Sequence, residues 1–418
     1  LMGEEGKRKV SICRDCRLSS EHYRDLIAQG MVEGGLDVTD LGVLPTGLFY
    51  YSLFNLDVEG GIMITGSHNP ADQNGFKVAV GKATLYGQQI QYLRKVIEEK
   101  RFVKGSGSYR EYKNLVEDYY NFLRSNIRLT KRFKVVVDAG NGTGGVIAVP
   151  IMRDMGQDVI PLFCDMDGHF PNHFPDPTVE KNIETMRKTV LESKADIGVG
   201  YDGDADRIGV IDNEGTIIWG DYLMIIFARD VLRAHKGAAF VSEVKCSKNL
   251  YEEVEKHGGV PIMWKAGHSL IKQKMKETGA LLGGEMSGHV FFADKFFGYD
   301  DAVYASLRLL EIMCRDERPV SEFLKDIPKM YSTPEIRIDC PDTVKFDVVK
   351  RLTEYYRERY PVIDIDGVRV LLKDGWGLVR PSNTGPILVL RFEAESPEAM
   401  KRIQDMVMND LNTMMKGN

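Results

Sequence analysis

Gly61-Ile62-Met63-Ile64-Thr65-Gly66-Ser67-His68-Asn69-Pro70 runs from a short apolar segment straight into a small polar loop. The apolar run predicts a buried strand. The Gly, Asn and Pro that follow predict a tight turn in which backbone N–H groups and the Ser67 hydroxyl face one point, an arrangement suited to a phosphate. Taken alone, the same residues also describe an ordinary strand-to-helix connection with Ser67 as its cap.

Three further loops each follow or adjoin an apolar run: Gly200-Tyr201-Asp202-Gly203-Asp204-Ala205-Asp206-Arg207, Gly284-Glu285-Met286-Ser287-Gly288-His289, and Arg380-Pro381-Ser382-Asn383-Thr384-Gly385-Pro386. In the first, Asp202, Asp204 and Asp206 alternate with small residues that permit a tight bend, so all three carboxylates can aim at one point. Oxygen ligands of this kind suit Mg²⁺, with a phosphate oxygen on Ser67 or on a substrate as a further ligand. The helix-flanked twelve-residue pattern of a calcium loop is absent, and a solvated acidic turn is the plainer alternative. Arg207 can pair with a phosphoserine, and Lys77 is near enough to Ser67 in sequence to fold back over it; both also fit as surface cations. His68 and His289 can move protons near neutral pH or be structural, and His289 is the stronger candidate. Arg380, Ser382, Asn383 and Thr384 gather donors into one loop, either a phosphate clamp or a polar turn.

The chain has 418 residues, 43% of them hydrophobic, and a net charge of -6, which fits roughly three domains of ordinary globular composition. No run of about 18 apolar residues occurs, and Leu1 to Lys7 lack the apolar centre of a signal peptide, so a cytoplasmic location is expected. Acidic and basic residues are interspersed, which argues against a nucleic-acid surface and for small-molecule partners. Cysteines at 13, 16, 164, 246, 314 and 340 are too scattered for a disulfide framework. Cys13-Arg14-Asp15-Cys16 lacks the second pair that a zinc site needs.

Strand and helix alternate from the start: a strand over Val10 to Cys13, a helix over Ser20 to Gly35, a strand over Asp37 to Leu44, helices over Thr46 to Leu56 and Gly87 to Arg101. After the polar segment Lys104 to Ser108, a helix from Tyr112 to Asn126 and the strand Phe133 to Asp138 begin a second α/β unit, and Trp219 to Trp264 begins a third. Beyond Tyr331 the pattern becomes α+β. Helices are expected over Val344 to Tyr360 and at the C-terminus, and short strands turn at Asp366-Gly367 and Asp374-Gly375.

The four loops, in this order and spacing, resemble those of the α-D-phosphohexomutases, most closely the bacterial phosphomannomutase/phosphoglucomutase branch, over nearly the whole chain. The resemblance implies three consecutive related α/β domains with mixed sheets and a C-terminal α+β domain around one cleft, divided as 1–110, 111–215, 216–329 and 330–418. It implies an enzyme, a mutase interconverting hexose 1-phosphate and hexose 6-phosphate of mannose or glucose. Phosphorylated Ser67 donates its phosphoryl group, a hexose 1,6-bisphosphate turns over while bound, and the other phosphate returns to Ser67. Mg²⁺ is then expected among Ser67, Asp202, Asp204 and Asp206. Lys77 and His289 are expected in proton transfer, with His68 and Arg207 beside the transferred group. Arg14, Lys245, His268, Glu285, Ser287, Arg380, Ser382, Asn383 and Thr384 are expected to bind phosphosugar, Glu285 and Ser287 through the sugar's 3- and 4-hydroxyls. A monomer or homodimer is expected. Family members carry an aromatic-Asp-Ile-Arg-Gly segment near their start that this chain lacks, so a shortened first domain is expected.

Two rivals remain. Gly140-x-Gly142-x-x-Gly145 follows a strand and has Asp165 downstream, which matches a dinucleotide fingerprint and would make the chain an NAD-dependent oxidoreductase. A phosphosugar-binding protein or slow phosphatase would use the same metal loop and clamp.

Overall fold

A computed structural model describes residue 2, residues 5–383 and residues 385–416. It contains four sheets in chain order. In the first, Lys9–Arg14 lies parallel to both Asp37–Val43 and Gly60–Ile64, and Phe76–Val80 returns antiparallel beside Gly60–Ile64. In the second, Lys134–Asp138 lies parallel to Asp158–Leu162 and Ile197–Tyr201, and Ile208–Asp212 returns antiparallel. In the third, Ala239–Glu243 lies parallel to Val260–Trp264 and Leu282–Gly284, and Val290–Phe292 returns antiparallel.

The three mixed sheets therefore share one plan, and each carries a functional loop at the same place, where its outer parallel strand turns back. No residue-level repeat announces this. The return strands escape a reading of the sequence because they are short, and the first also alternates polar with apolar residues, as in Phe76-Lys77-Val78. The expected helix at Thr46 runs over Thr46–Asn55 and buries Leu48 through Leu53. A helix apolar on every side belongs inside a protein, and this one packs between the first sheet and the helix Leu115–Asn126.

The last unit is an antiparallel sheet in the order Tyr331–Ser332, Ile387–Ala394, Gly375–Pro381, Val368–Leu372, Val362–Ile363, with Ile336–Asp339 also on Ile387–Ala394. Helices Lys345–Arg357 and Pro397–Lys416 pack on it. Gly367, at φ 82°, makes the expected turn. One continuous apolar cluster runs from Cys13 to Ile327 through the first three units, whereas the last has its own core from Cys340 to Leu411. Among the described residues all six cysteines are free, and no helix is long and apolar enough to cross a membrane.

Candidate active site

Ser67 sits at the tip of the first loop in the left-handed region, φ 48°, a strained conformation for a serine that needs outside support. Arg17 supplies it. Its fully buried guanidinium donates to the carbonyls of Ser67 (2.7 Å), Asn69 (2.7 Å), Gln73 (3.0 Å) and Pro70. Asp15 accepts from Arg17 Nε at 3.2 Å and from the Gly66 N–H at 3.1 Å. A Cβ on Gly66 would lie 2.5 Å from Arg17 Nε, so the loop closes only on glycine there. No helix follows the loop, which leads into the strand Phe76–Val80, and the helix-cap reading of Ser67 is thereby corrected.

The second loop is the tip of the hairpin Ile197–Tyr201/Ile208–Asp212 and rests against the first: a Cβ on Gly203 would lie 2.5 Å from the Ser67 carbonyl oxygen. Ser67 Oγ donates to Asp202 Oδ2 at 2.7 Å and lies 3.1 Å from His68 Nδ1. Asp204 Oδ2 accepts from Thr46 Oγ1 (2.6 Å) and Lys77 Nζ (2.8 Å), and Lys77 also pairs with Asp206. Lys77 reaches this point because its strand places it opposite Met63, three residues before the serine loop's Gly66.

The three carboxylates lie within 4.8 Å of one another and are buried. Burial, then repulsion from Asp206 and Asp204, pushes the Asp202 carboxyl well above the usual range. For Asp206 burial acts the same way, but Lys77 and His289 outweigh it and hold the group low. Asp204 Oδ1 and Asp206 Oδ1 are buried with no hydrogen-bond partner. Hard oxygen donors, mutual repulsion and orphaned lone pairs fit a divalent cation such as Mg²⁺.

The third loop closes on the second. Ile208 N–H donates to the Gly288 carbonyl at 3.0 Å, and Arg207 Nε donates to His289 Nε2 at 3.0 Å. Burial lowers the His289 pKa, but Asp206 and Asp300 overcome it and the value is raised. His268 stacks on His289, ring centroids 5.6 Å apart, and burial with the nearby Lys272 holds its pKa well below normal. Glu285 Oε1 accepts the Gly267 N–H at 2.6 Å, while Ser287 is half-buried beside it. Lys245 is buried between Glu243 (3.4 Å) and Glu335 (3.1 Å), whose charges raise its pKa against the effect of burial.

The fourth loop joins through one carboxylate: Asp366 Oδ2 accepts from Arg380 Nε at 2.8 Å and from the Ala266 N–H at 3.0 Å, next to His268. Ser382 and Gly385 offer their carbonyls to Lys345 Nζ at 2.6 and 2.9 Å, Asn383 is exposed, and Thr384 lies outside the described residues. Arg14 stands opposite Ile64 at the same sheet end as Ser67, but its guanidinium faces Glu21 at 3.5 Å.

The dinucleotide fingerprint has another explanation. Thr143 N–H and Oγ1 approach the Gly203 carbonyl at 3.0 and 3.2 Å, and a Cβ on Gly142 would lie 2.6 Å from that oxygen. On Gly144 and Gly145 it would meet Tyr201 at 2.9 Å and Cys164 at 2.6 Å. Gly142 and Gly144 seat the aspartate loop on the N-terminus of the helix Gly145–Asp154, where a pyrophosphate would have to sit. The NAD reading is corrected on that ground.

Family models for phosphoglucomutase/phosphomannomutase match end to end: α/β/α domain I at residues 1–104, domain II at 113–215, domain III at 219–331 and the C-terminal domain at 335–410. A phosphomannomutase/phosphoglucomutase of Pseudomonas aeruginosa is 45% identical over 98% of this chain and 88% of its own length. The chain belongs to the phosphoglucomutase/phosphomannomutase family. A phosphoglucomutase of Neisseria meningitidis is 42% identical over 96% of this chain and 88% of its own. The crystal structure of a family protein from Burkholderia thailandensis superposes with a TM-score of 0.93 at 41% identity, covering 100% of this chain and 91% of the other. The activity of this family member is that of a hexose-phosphate mutase, an isomerase.

Reasoning from the sequence passed over Asp15, Arg17, Thr46, Lys272, Asp300 and Lys345, all of which touch residues of these loops or their neighbours. Asp15 and Arg17 lie inside the Cys13–Cys16 stretch or just after it, and a strand followed directly by Arg and Asp was the available signal. The others stand on elements with no loop motif of their own.

Proposed function

We propose that this mutase interconverts the 1- and 6-phosphates of glucose and of mannose through phosphorylated Ser67 and a bound hexose 1,6-bisphosphate. Four domains, 1–110, 111–215, 216–329 and 330–418, would each lend one loop to a common cleft. The observation that carries this reading is the contact set joining Ser67 Oγ, Asp202, Asp204, Asp206, Lys77, Arg207 and His289 across three sheets.

Asp202, Asp204 and Asp206, with an oxygen on phosphorylated Ser67, would hold Mg²⁺. Bound there, the cation supplies charge neutralisation for the transferring phosphoryl group. Ser67 Oγ is the phosphoryl carrier, and its left-handed backbone projects it from the loop. Arg207 pairs with the phosphate oxygens, since a guanidinium matches them with parallel N–H donors. Lys77 and His289 handle the proton of the attacking hydroxyl, and His68 lies beside Ser67 Oγ. Lys245 and His268 bring positive or donor groups to the cleft wall, and Arg14 stands at its edge.

Glu285 and Ser287 receive the sugar's 3- and 4-hydroxyls. Turning the bisphosphate end over roughly exchanges those two groups, so one carboxylate can hold either orientation. Arg380, Ser382, Asn383 and Thr384 grip the phosphate that is not being transferred. Glucose and mannose differ only at carbon 2, which this loop does not address.

The test has two parts. Peptide mapping should find a mass increment of about 80 Da on Ser67, absent from Ser67→Ala, whose mutase activity should be nearly abolished. A coupled assay primed with glucose 1,6-bisphosphate should give kcat/KM values for glucose and mannose 1-phosphate within about 100-fold, or roughly 2.7 kcal/mol. A phosphate mapped elsewhere with an active alanine variant would sink the carrier role, and release of phosphate without isomer would favour a phosphatase.

A further inference from the structure

On the side of His289 away from Arg207 lies a buried ion pair with no part in the chemistry above. Asp300 is fully buried, and its Oδ1 accepts from Lys272 Nζ at 3.1 Å. Its Oδ2 lies 3.0 Å from His289 Nδ1 and 3.8 Å from His268 Nδ1, behind the two stacked rings. Lys272 is held in turn by Tyr50, with Nζ 4.0 Å from the ring centroid. A buried carboxylate would ordinarily take up a proton; Lys272 and His289 instead hold the Asp300 pKa well below the usual range against the effect of burial.

The partners locate the ring proton. A guanidinium has donors and no acceptor, so the bond from Arg207 Nε at 3.0 Å requires a lone pair on His289 Nε2. In the neutral ring the proton is then on Nδ1, which faces Asp300. The same atoms have the spacing of a second cation site, since Asp206, His289 and Asp300 offer ligand atoms within 4.8 Å of one another. The charges decide against it. Lys272 already pairs with Asp300, Lys77 with Asp206, and Arg207 abuts the ring. A ring protonated on Nδ1 cannot ligate a metal through that atom.

We propose that Asp300, braced by Lys272, is the positioning residue of His289: it accepts the Nδ1 proton, fixes that tautomer, and leaves Nε2, on the Arg207 side, as the nitrogen that exchanges a proton with the sugar hydroxyl. When Arg207 turns to the phosphate and frees the Nε2 lone pair, Nε2 takes the hydroxyl proton, the hydroxyl oxygen bonds to phosphorus as the Ser67 Oγ–phosphorus bond breaks and leaves its electron pair on Oγ, and the imidazolium keeps its Nδ1–H on Asp300; the reverse transfer returns the proton. The arrangement follows the logic of a carboxylate behind a catalytic imidazole, with a lysine added to keep the carboxylate ionised. It rests on the role given to His289 under Proposed function.

The experiment uses the full chain with Mg²⁺. Nitrogen-15 spectra of histidine-labelled wild-type protein should show His289 as the Nδ1–H tautomer; an Nε2–H tautomer overturns the proposal without any variant. Asp300→Asn keeps the shape but can present an amide donor to Nδ1, so kcat should fall about 10³-fold, somewhat less than for a full triad. KM for glucose 1-phosphate should stay within about threefold. In a His289→Ala background the same substitution should change kcat by less than about twofold, because its effect passes through the ring. Lys272→Met should produce a smaller kcat loss that is likewise absent in that background. Unchanged kcat in folded Asp300→Asn, or a loss carried almost wholly by KM, overturns the positioning role. Wild-type kcat in His289→Ala removes the proton-transfer role and the proposal with it. A crippled His289→Ala in which Asp300→Asn still costs its full factor removes only the positioning.

Discussion

The serine loop and the C-terminal loop that carries Arg380 are both hairpin tips, yet they are anchored in different ways. The serine loop hangs on a buried arginine, leans on the aspartate loop, and stands over the apolar cluster shared by the first three units. The C-terminal loop belongs to a separately cored unit and exposes Asn383 and Pro386 among its described residues. Its junction with the rest is mainly polar. Arg369 donates to the carbonyls of Val244 and Cys246 at 2.8 and 2.9 Å, Arg391 reaches Asp221 at 3.2 Å, and Glu335 takes Lys245. Val244, Trp376 and Leu378 form a small buried apolar contact across it, with three partly buried neighbours. The groups that would move phosphate are thus fixed to one another, while the loop proposed to grip the distal phosphate is attached mainly by hydrogen bonds and a small apolar contact.

Disabling the fixed half should have the largest effect. Asp204→Asn should lower kcat by about 10³-fold or more, and chelation should stop turnover until excess Mg²⁺ restores it. Turnover that survives exhaustive chelation contradicts the metal role. Next comes Arg17→Met, which strands the buried Asp15 and removes the donors that hold the serine loop. Breaking a buried pair from one side costs about 3–5 kcal/mol. Urea unfolding should show that loss, and a change below about 1 kcal/mol would mean that the loop supports itself.

Arg380→Lys probes the other half. It keeps the charge but loses the fork and the bond to Asp366, so kcat/KM should fall about 10- to 100-fold, mostly through KM, with the unfolding midpoint unmoved. A loss confined to kcat would tie this loop to the chemistry and erase the contrast.

The smallest effect concerns pH. Burial lowers the His173 pKa, but its hydrogen bond to Asp138 at 3.0 Å and that group's charge outweigh it and the value is raised. The folded chain therefore holds this proton more tightly than the unfolded chain. The contribution is complete below the ordinary histidine pKa and is lost as pH rises through the higher folded value. Solvent screening keeps it below about 1 kcal/mol. His173→Gln should flatten the stability profile across that window; a variant with the wild-type slope would rule this pair out. Residues 331–418 contain no histidine, so no histidine of the C-terminal unit can add to that slope.

Much of this contrast was readable in the chain. Apolar runs such as Val135-Val136-Val137 mark fully buried parallel strands, and each is followed by turn residues or a loop carrying its functional groups. The short return strands were not readable, because Phe76 is exposed and Lys77 looks like a surface residue until Asp204 and Asp206 arrive from another sheet. Gly140 to Gly145 misled for a related reason: glycine spacing reports that a backbone comes close, not whether it is a nucleotide or the aspartate loop. Asp300 carries no local signal, since its neighbour Asp301 accounts for the helix start by accepting the Tyr304 N–H at 2.9 Å. Such partners are set by distant packing rather than by sequence spacing.

The glycine contacts between loops also bear on how the protein is made. Synthesis delivers Ser67 early, before the second and third units, whose core its own unit shares. Its wall at Gly203 and the Gly288 turn that fixes His289 emerge much later, and neither leaves room for a side chain. A nascent chain that ends before residue 289 carries the serine hydroxyl without the groups that would charge it. If Ser67 is the carrier proposed above, a partial chain of that length would lack the means to transfer phosphate.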